Sequence, residues 1–155
     1  MVEDLMTVLG ADGMVKRKDR PALSDQDLLY LHRAMVRTRA LDERSMLLQR
    51  QGRIGFYVPS FGEEAAGAGS CFALEEDDWI VPSYRQPVVA LMRGVTPEAM
   101  FDNCWGNAGD TAKGRQMPVH YSFREANFAS NQSTGETIIT RVTVNPPLAD
   151  KDFRP

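Results

Sequence analysis

A helix-dominated α/β fold is the class this sequence predicts. Residues 25–51 contain neither Gly nor Pro, which leaves room for one long helix. Three further stretches, beginning near Ser60, Val88 and Thr96, read as shorter helices, while only Trp79–Pro82 and Thr137–Val144 read as strands.

The chain opens on two short apolar runs, Met6–Leu9 and Met14–Val15, around Asp12-Gly13. That dipeptide tolerates the positive φ of a tight hairpin turn, and the turn reading outweighs a metal-binding one. Lys16 to Pro21 is a charged connector, so residues 1–22 form an amino-terminal hairpin and connector.

Ser24 followed by Asp27 makes a capping box, in which the Ser oxygen and the carboxylate each take up a free amide. Leu28, Leu31, Met35, Leu41, Leu47 and Leu48 supply the apolar faces of the helix that follows, and Gly52 is its stop. At 1.5 Å per residue this element spans ~40 Å and expects a partner surface. His32 lies inside it beside Arg33 and reads as a surface or half-buried helix residue.

Ser60 and Glu63 predict a second capping box, opening a helix that runs toward Leu74. Its Gly67-Ala68-Gly69-Ser70 patch has little side-chain bulk. Because Gly costs a helix about 1 kcal/mol against Ala, the patch implies a backbone packed closely on another element. Glu75 to Asp78 is an acidic turn, and Trp79–Pro82 is a short buried strand closed by proline. Val88 to Arg93 predicts a helix ending at Gly94. Thr96-Pro97-Glu98 supplies an N-cap, a first-position proline and a first-turn acid for a helix carrying Met100, Phe101 and Trp105. Gly106 to Tyr121 reads as loop. Thr137–Val144 predicts one strand, broken by Asn145-Pro146-Pro147.

With 155 residues, 43% hydrophobic and 25% charged, the chain has the composition of a globular domain. A formal net charge of -3 gives no electrostatic reason to expect nucleic acid or an anionic membrane as partner. No stretch approaches the ~20 apolar residues of a membrane span, and the acidic Met1-Val2-Glu3-Asp4 start lacks a secretory layout. The expected location is cytoplasmic. Cys71 and Cys104 have no CxxC spacing and read as buried structural thiols.

Three stretches carry chemistry: Gly55-Phe56-Tyr57-Val58-Pro59-Ser60-Phe61-Gly62-Glu63-Glu64-Ala65, then Pro82-Ser83-Tyr84-Arg85, then Gly114-Arg115-Gln116-Met117-Pro118-Val119-His120-Tyr121-Ser122. In this order they resemble the α subunit of the thiamine-diphosphate-dependent E1 component of 2-oxo acid dehydrogenase complexes, from about Leu23 to Ser130. The resemblance implies the amino-terminal portion of the thiamine-diphosphate-binding fold, with its parallel sheet incomplete. It divides the chain into residues 1–22, a partial E1 α domain at 23–130 and a divergent tail at 131–155.

The same resemblance implies oxidative decarboxylation of a small 2-oxo acid and acyl transfer to a lipoyl-bearing E2 protein, shared with an E1 β subunit in a heterotetramer. Thiamine diphosphate carries the difficult carbon chemistry, and the protein binds and orients it. Tyr84 and Arg85 match the residues at the cofactor's diphosphate, where a guanidinium fork and a phenol suit phosphate oxygens. His120 matches the active-site histidine, able to donate to a developing oxyanion or exchange a proton. Phe56, Tyr57 and Phe61 match the substrate-side wall, and their spacing to Glu63-Glu64 looks more like branched-chain than pyruvate-type sequences. Arg115 could hold the loop or an anionic group.

Mg²⁺ belongs to the family's site but needs oxygen ligands that a later GDG triplet and Asn supply. In the family both lie beyond the point where the resemblance ends, and Asn131-Gln132-Ser133-Thr134-Gly135-Glu136 stands where a serine-rich turn is expected. The expectation is therefore an α subunit that is shortened and inactive alone. The alternative is a non-catalytic remnant that binds a partner, such as an E1 β subunit, through its long helix and its small-residue helix and lacks cofactor binding.

Overall fold

The computed structural model describes residues 10–15 and 22–130. The Met6–Leu9 half of the expected hairpin, the Lys16–Pro21 connector, the Thr137–Val144 strand and the divergent tail lie outside the described residues. The chain divides into two compact units, residues 1–30 and 31–155.

In the first unit the Asp12-Gly13 turn forms as expected. Gly13 takes φ 76, its amide donates to the Gly10 carbonyl at 2.9 Å, and the Asp12 carboxylate accepts from the Met14 amide at 3.0 Å. The Ser24 box is also present: the Ser24 hydroxyl accepts from the Asp27 amide at 3.1 Å and the Asp27 carboxylate accepts from the Ser24 amide at 3.0 Å. The Ser24 hydroxyl, donating to the Asp27 carboxylate at 2.6 Å, and then the Ser24 amide hold that carboxyl below its ordinary pKa.

Helix α1 covers Asp25–Arg50, within a residue of the predicted span. In the second unit its buried residues are Ala34, Thr38, Leu41, Asp42, Ser45 and Leu48, a 3.6-residue stripe made largely of small and polar side chains. Leu47, counted on sequence as apolar helix face, is exposed, as is Leu28. The polar members are satisfied locally or at a distance. Thr38 and Ser45 donate back to the Ala34 and Leu41 carbonyls, and Asp42 accepts from Tyr57 and Ser60. His32 is exposed.

Helix α2 covers Glu64–Phe72 and starts later than the sequence predicts. The Ser60–Glu63 box does not form, because Ser60 gives both its amide and its hydroxyl to the Asp42 carboxylate, at 2.8 and 2.7 Å. Glu64 secures the start instead. It accepts from the Gly62 amide at 2.9 Å and pairs with Arg39 at 2.6 Å. Burial pushes the Glu64 carboxyl up, but its own amide, Arg39 and the Gly62 amide outweigh that and hold it below the usual range.

Helices α3 (Pro87–Met92) and α4 (Pro97–Trp105) follow, the first packed on α2. A Cβ built on Gly67 would fall 2.5 Å from Val88 Cγ1, so the small-residue patch does mark a close backbone approach. Thr96 caps α4 by accepting from the Ala99 amide at 3.2 Å, and Gly106 ends it in the left-handed region.

Two short strands complete the described residues, β1 (Ser122–Phe123) and β2 (Phe128–Ala129), paired antiparallel. They were not expected from the sequence. Of the expected Trp79–Pro82 strand only Ile80 pairs, through a single parallel bridge to Phe128. Trp79 and Val81 on either side of it are exposed rather than buried. Helices dominate, as predicted, and the parallel sheet is reduced to that one bridge among the described residues. Arg93 ties the acidic turn before it by donating to the Glu75 and Glu76 carbonyls. Both cysteines are buried and free.

Candidate functional site

The small sheet explains why two distant loops meet. Ile80 donates to the Asn127 carbonyl at 2.8 Å and accepts from the Ala129 amide at 3.0 Å, so it runs parallel to β2. Strand β1 runs antiparallel to β2. The exit from Ile80 and the entry to β1 therefore lie at the same end of the sheet. Tyr84 comes four residues after Ile80, and His120 two residues before β1. The carbonyl of Tyr121 accepts from the Ser130 amide at 3.0 Å and fixes that entry.

At this end three rings assemble. Tyr84 stacks on His120 with centroids 5.5 Å apart and planes 29° apart. Phe56 lies tilted to the same imidazole at 6.5 Å. His120 is only 3% exposed, so it is an enclosed side chain and not a solvated loop histidine. Its Nδ1 lies 3.0 Å from the Pro118 carbonyl. The exposed Arg85 guanidinium sits 5.9 Å from the Tyr84 ring centroid, and no carboxylate pairs with it among the described residues.

The other sequence-derived residues go elsewhere. Tyr57 is buried and donates its hydroxyl to Asp42 at 2.7 Å. Burial first, then the neighbouring Tyr121 and Asp42, push this phenol far above its ordinary pKa. Phe61 is exposed, with the Arg39 guanidinium 5.0 Å over its ring. Arg115 is exposed on the loop before His120, its amide donating to the Ala112 carbonyl at 3.1 Å. The structure thus brings together His120, Tyr84, Phe56 and Arg85, but not Tyr57, Phe61 or Arg115.

Two acids that sequence reasoning passed over hold this arrangement. Asp42, fully buried on α1, accepts from the Tyr57 hydroxyl and from both Ser60 groups, fixing the Phe56 segment to the helix. Asp110, also buried, accepts from the Ala112 amide at 3.0 Å and the Gly114 amide at 2.6 Å, folding the loop that leads to His120. The signal for Asp42 was the recurrence of Ala34, Thr38, Asp42 and Ser45 at helical spacing. For Asp110 it was an Asp opening a Thr-Ala-Lys-Gly turn.

Beneath the loop, burial pushes the Cys104 thiol up to about 11, helped by the Asp110 charge and opposed by a hydrogen bond with the Val119 backbone. The Tyr121 phenol is raised well above its ordinary value by burial, then by Cys104 and Asp42. Neither group is an acid or base for neutral pH.

The arrangement can receive an anion at Arg85 and Tyr84 and handle a proton at His120 at an aromatic-walled end of the sheet. Those groups fit the anionic end of thiamine diphosphate. Among the described residues no group of three or more His, Cys, Asp or Glu is placed to hold a metal.

Comparison with known proteins gives a consistent picture. The family described as dehydrogenase E1 component matches residues 32–149, which reaches past Ser130, where the motif likeness ends. The mitochondrial 2-oxoisovalerate dehydrogenase subunit alpha of Caenorhabditis elegans is 41% identical over 120 residues, 77% of this chain and 28% of that protein. Subunit alpha 1 of the mitochondrial enzyme of Arabidopsis thaliana is 40% identical over 122 residues, 78% of this chain and 26% of that protein. The human mitochondrial subunit alpha is 35% identical over 136 residues, 88% of this chain and 28% of that protein. The chain therefore spans between a quarter and a third of the length of these relatives.

These names overturn the cytoplasmic location expected from sequence, because each of the relatives is mitochondrial. A soluble composition with modest net charge serves either compartment equally, so it carried no address.

Proposed function

The chain belongs to the dehydrogenase E1 component family, and from that premise we propose that it acts as an E1 α-type polypeptide in the oxidative decarboxylation of branched-chain 2-oxo acids. Its fold on this reading is the amino-terminal portion of the thiamine-diphosphate-binding fold. The observation that carries the proposal is the convergence of Tyr84, Arg85, which has no carboxylate partner among the described residues, and the enclosed His120 at one end of the sheet. The location proposed with it is the mitochondrial one of its named relatives.

Bound thiamine diphosphate supplies the carbon nucleophile and the electron sink that decarboxylation needs. This chain's residues do the rest of what is visible here. Arg85 binds phosphate oxygens through a planar, permanently charged fork, and the Tyr84 phenol adds a directed hydrogen bond. Tyr84 and Phe56 flank the imidazole and exclude water from one side of it. His120, with Nδ1 on the Pro118 carbonyl, keeps Nε2 to hold or pass a proton. Tyr57 and Asp42 act by fixing the segment that carries Phe56, and no step is assigned to Mg²⁺. The remainder of the site, the E1 β subunit and the lipoyl-bearing E2 protein are partners that this function requires.

The test is thermal unfolding of the chain with an E1 β subunit, with and without Mg²⁺-thiamine diphosphate, alongside decarboxylation of 2-oxoisovalerate. A cofactor-dependent rise in the transition that Arg85→Ala removes is expected, since a ligand that binds only the native state raises its stability. No decarboxylation, together with a cofactor response indifferent to Arg85→Ala, would overturn the proposal.

A second reading has an observation of its own. Val36 and Leu47, three helical turns apart on α1, are exposed at 53% and 44%. They suit a non-catalytic protein that binds E1 β through this helix, for which β capture without cofactor binding is the expected result.

A further inference from the structure

We propose that the Pro118–Val119 peptide is the positioning device of His120, held in a strained orientation by the buried Val119 side chain. Four observations meet there. The His120 amide donates to the Met117 carbonyl at 3.1 Å, closing a four-residue turn with Pro118 and Val119 at its centre. Val119 has φ 66, which with proline before it is the geometry of a type II turn. That turn takes Gly or Asn at this position, and a β-branched residue there is an outlier. Val119 is nonetheless 1% exposed, so its side chain is fully packed.

Both ends of this one peptide plane are engaged. The Pro118 carbonyl faces His120 Nδ1 at 3.0 Å, and the Val119 backbone lies by the buried Cys104 thiol, where it opposes the rise of the thiol pKa. A carbonyl only accepts, so the bond requires the proton on Nδ1 and leaves the lone pair of the neutral ring on Nε2. A flip of the plane to the type I arrangement would relieve Val119 and turn the carbonyl away from the ring. It would also reorient the Val119 backbone beside Cys104. The Val119 side chain, locked in its pocket, opposes that flip. Strain that persists beside a functional group persists because its surroundings over-determine it.

The charged and titratable neighbours do not supply an alternative anchor. Asp110 bonds to the Ala112 and Gly114 amides, and the Tyr84 and Phe56 contacts recorded with His120 are ring contacts. The catalytic meaning of the device rests on the E1 reading above; the tautomer and its dependence on Val119 do not.

The experiment is ¹⁵N NMR of the His120 ring in the full chain, followed through a pH series to the neutral plateau, for the native chain, Val119→Ala and Val119→Gly. The native ring is expected to carry its proton on Nδ1. Val119→Ala keeps the penalty of a Cβ at positive φ but loses the anchor, so the proton signal shifts toward Nε2. Val119→Gly loses the anchor and the penalty together, so the type II turn and the Nδ1 proton are retained. Simple core packing predicts the opposite order, with Gly worse than Ala. Equal behaviour of the two variants, or the Ala variant keeping Nδ1 protonated while Gly loses it, would overturn the proposal. So would a native ring protonated on Nε2, a result that stands whether or not Val119→Ala folds. A correct tautomer without cofactor binding would sink the E1 reading and leave the device intact.

Discussion

Gly67 and Gly69 lie two residues apart on α2 and should respond to alanine in opposite directions. At Gly67 the added Cβ would sit 2.5 Å from Val88 Cγ1, against the ~3.5–4.0 Å of an ordinary carbon contact. Val88 is 1% exposed and β-branched on a helix, so its rotamer has no free alternative and α3 itself must give. Overpacking of this kind costs about 1–3 kcal/mol. The helix-propensity gain from Gly to Ala is about 1 kcal/mol, which leaves a net loss of about 1 kcal/mol. At Gly69 nothing lies within 4 Å, so only the gain remains. The two variants should therefore differ by about 2 kcal/mol, a separation of roughly 4–8 °C in Tm for a chain of this size. Melting of the full chain followed by far-ultraviolet circular dichroism measures it. Val88→Ala removes the offending methyl, so Gly67→Ala made in that background should turn from destabilising to neutral or stabilising. If Gly67→Ala stabilises the native background as much as Gly69→Ala does, the close approach of α2 and α3 is refuted.

Asp42→Ala leaves the Tyr57 hydroxyl and both Ser60 donors buried without their acceptor. At ~1–3 kcal/mol for each orphaned group, urea unfolding should show a loss of about 3 kcal/mol or more. The Glu64 carboxyl is held below its unfolded value of 4.5, so its contribution is present above that pH and lost as pH falls through the folded value. The acid limb of a stability–pH curve should thus flatten below pH 4.5 in Glu64→Gln, and an unchanged limb would refute the Arg39–Glu64 assignment. Cys104, raised to about 11, and the buried Cys71 should react with a thiol reagent at neutral pH only on unfolding, as timed by absorbance with and without denaturant.

Local signals in the sequence translated into structure wherever the partner was also local. The span of α1 followed from an uninterrupted run and from Ser24 with Asp27, whose box needs only three residues of spacing. Ser60 and Glu63 have the same spacing and no box, because the Ser60 hydroxyl goes to Asp42, eighteen residues back in sequence. Counting leucines misplaced Leu28 and Leu47, since α1 buries Thr38, Asp42 and Ser45 and satisfies them by hydrogen bonds that composition does not reveal. The strand at Trp79–Pro82 was overread for a related reason: among the described residues it meets a single neighbouring strand, and Trp79 and Val81 stay exposed. At the site, Tyr84, Arg85, His120 and Phe56 were legible by resemblance and are neighbours in space. Tyr57 shares the Phe56 segment but points its hydroxyl at Asp42, a change of environment over one residue that no motif encodes.

The tiny sheet has more influence on the site than its four strand residues suggest. Because β1 reverses against β2 while Ile80 runs with it, the chain must deliver the Tyr84 loop and the His120 loop to one end of the sheet, whatever the loops contain. Loop chemistry then decides what arrives there. Asp110 folds the approach, the Met117–His120 turn sets the imidazole, and Phe128, 1% exposed and in contact with Tyr121 and Phe123, anchors the pair of strands. Topology brings the rings into contact, and the hydrogen bond to the Pro118 carbonyl orients the imidazole. The two can fail separately: loss of the Ile80 bridge would part Tyr84 from His120 with the imidazole's proton still in place, whereas a flipped Pro118 carbonyl would move the proton under an intact ring stack.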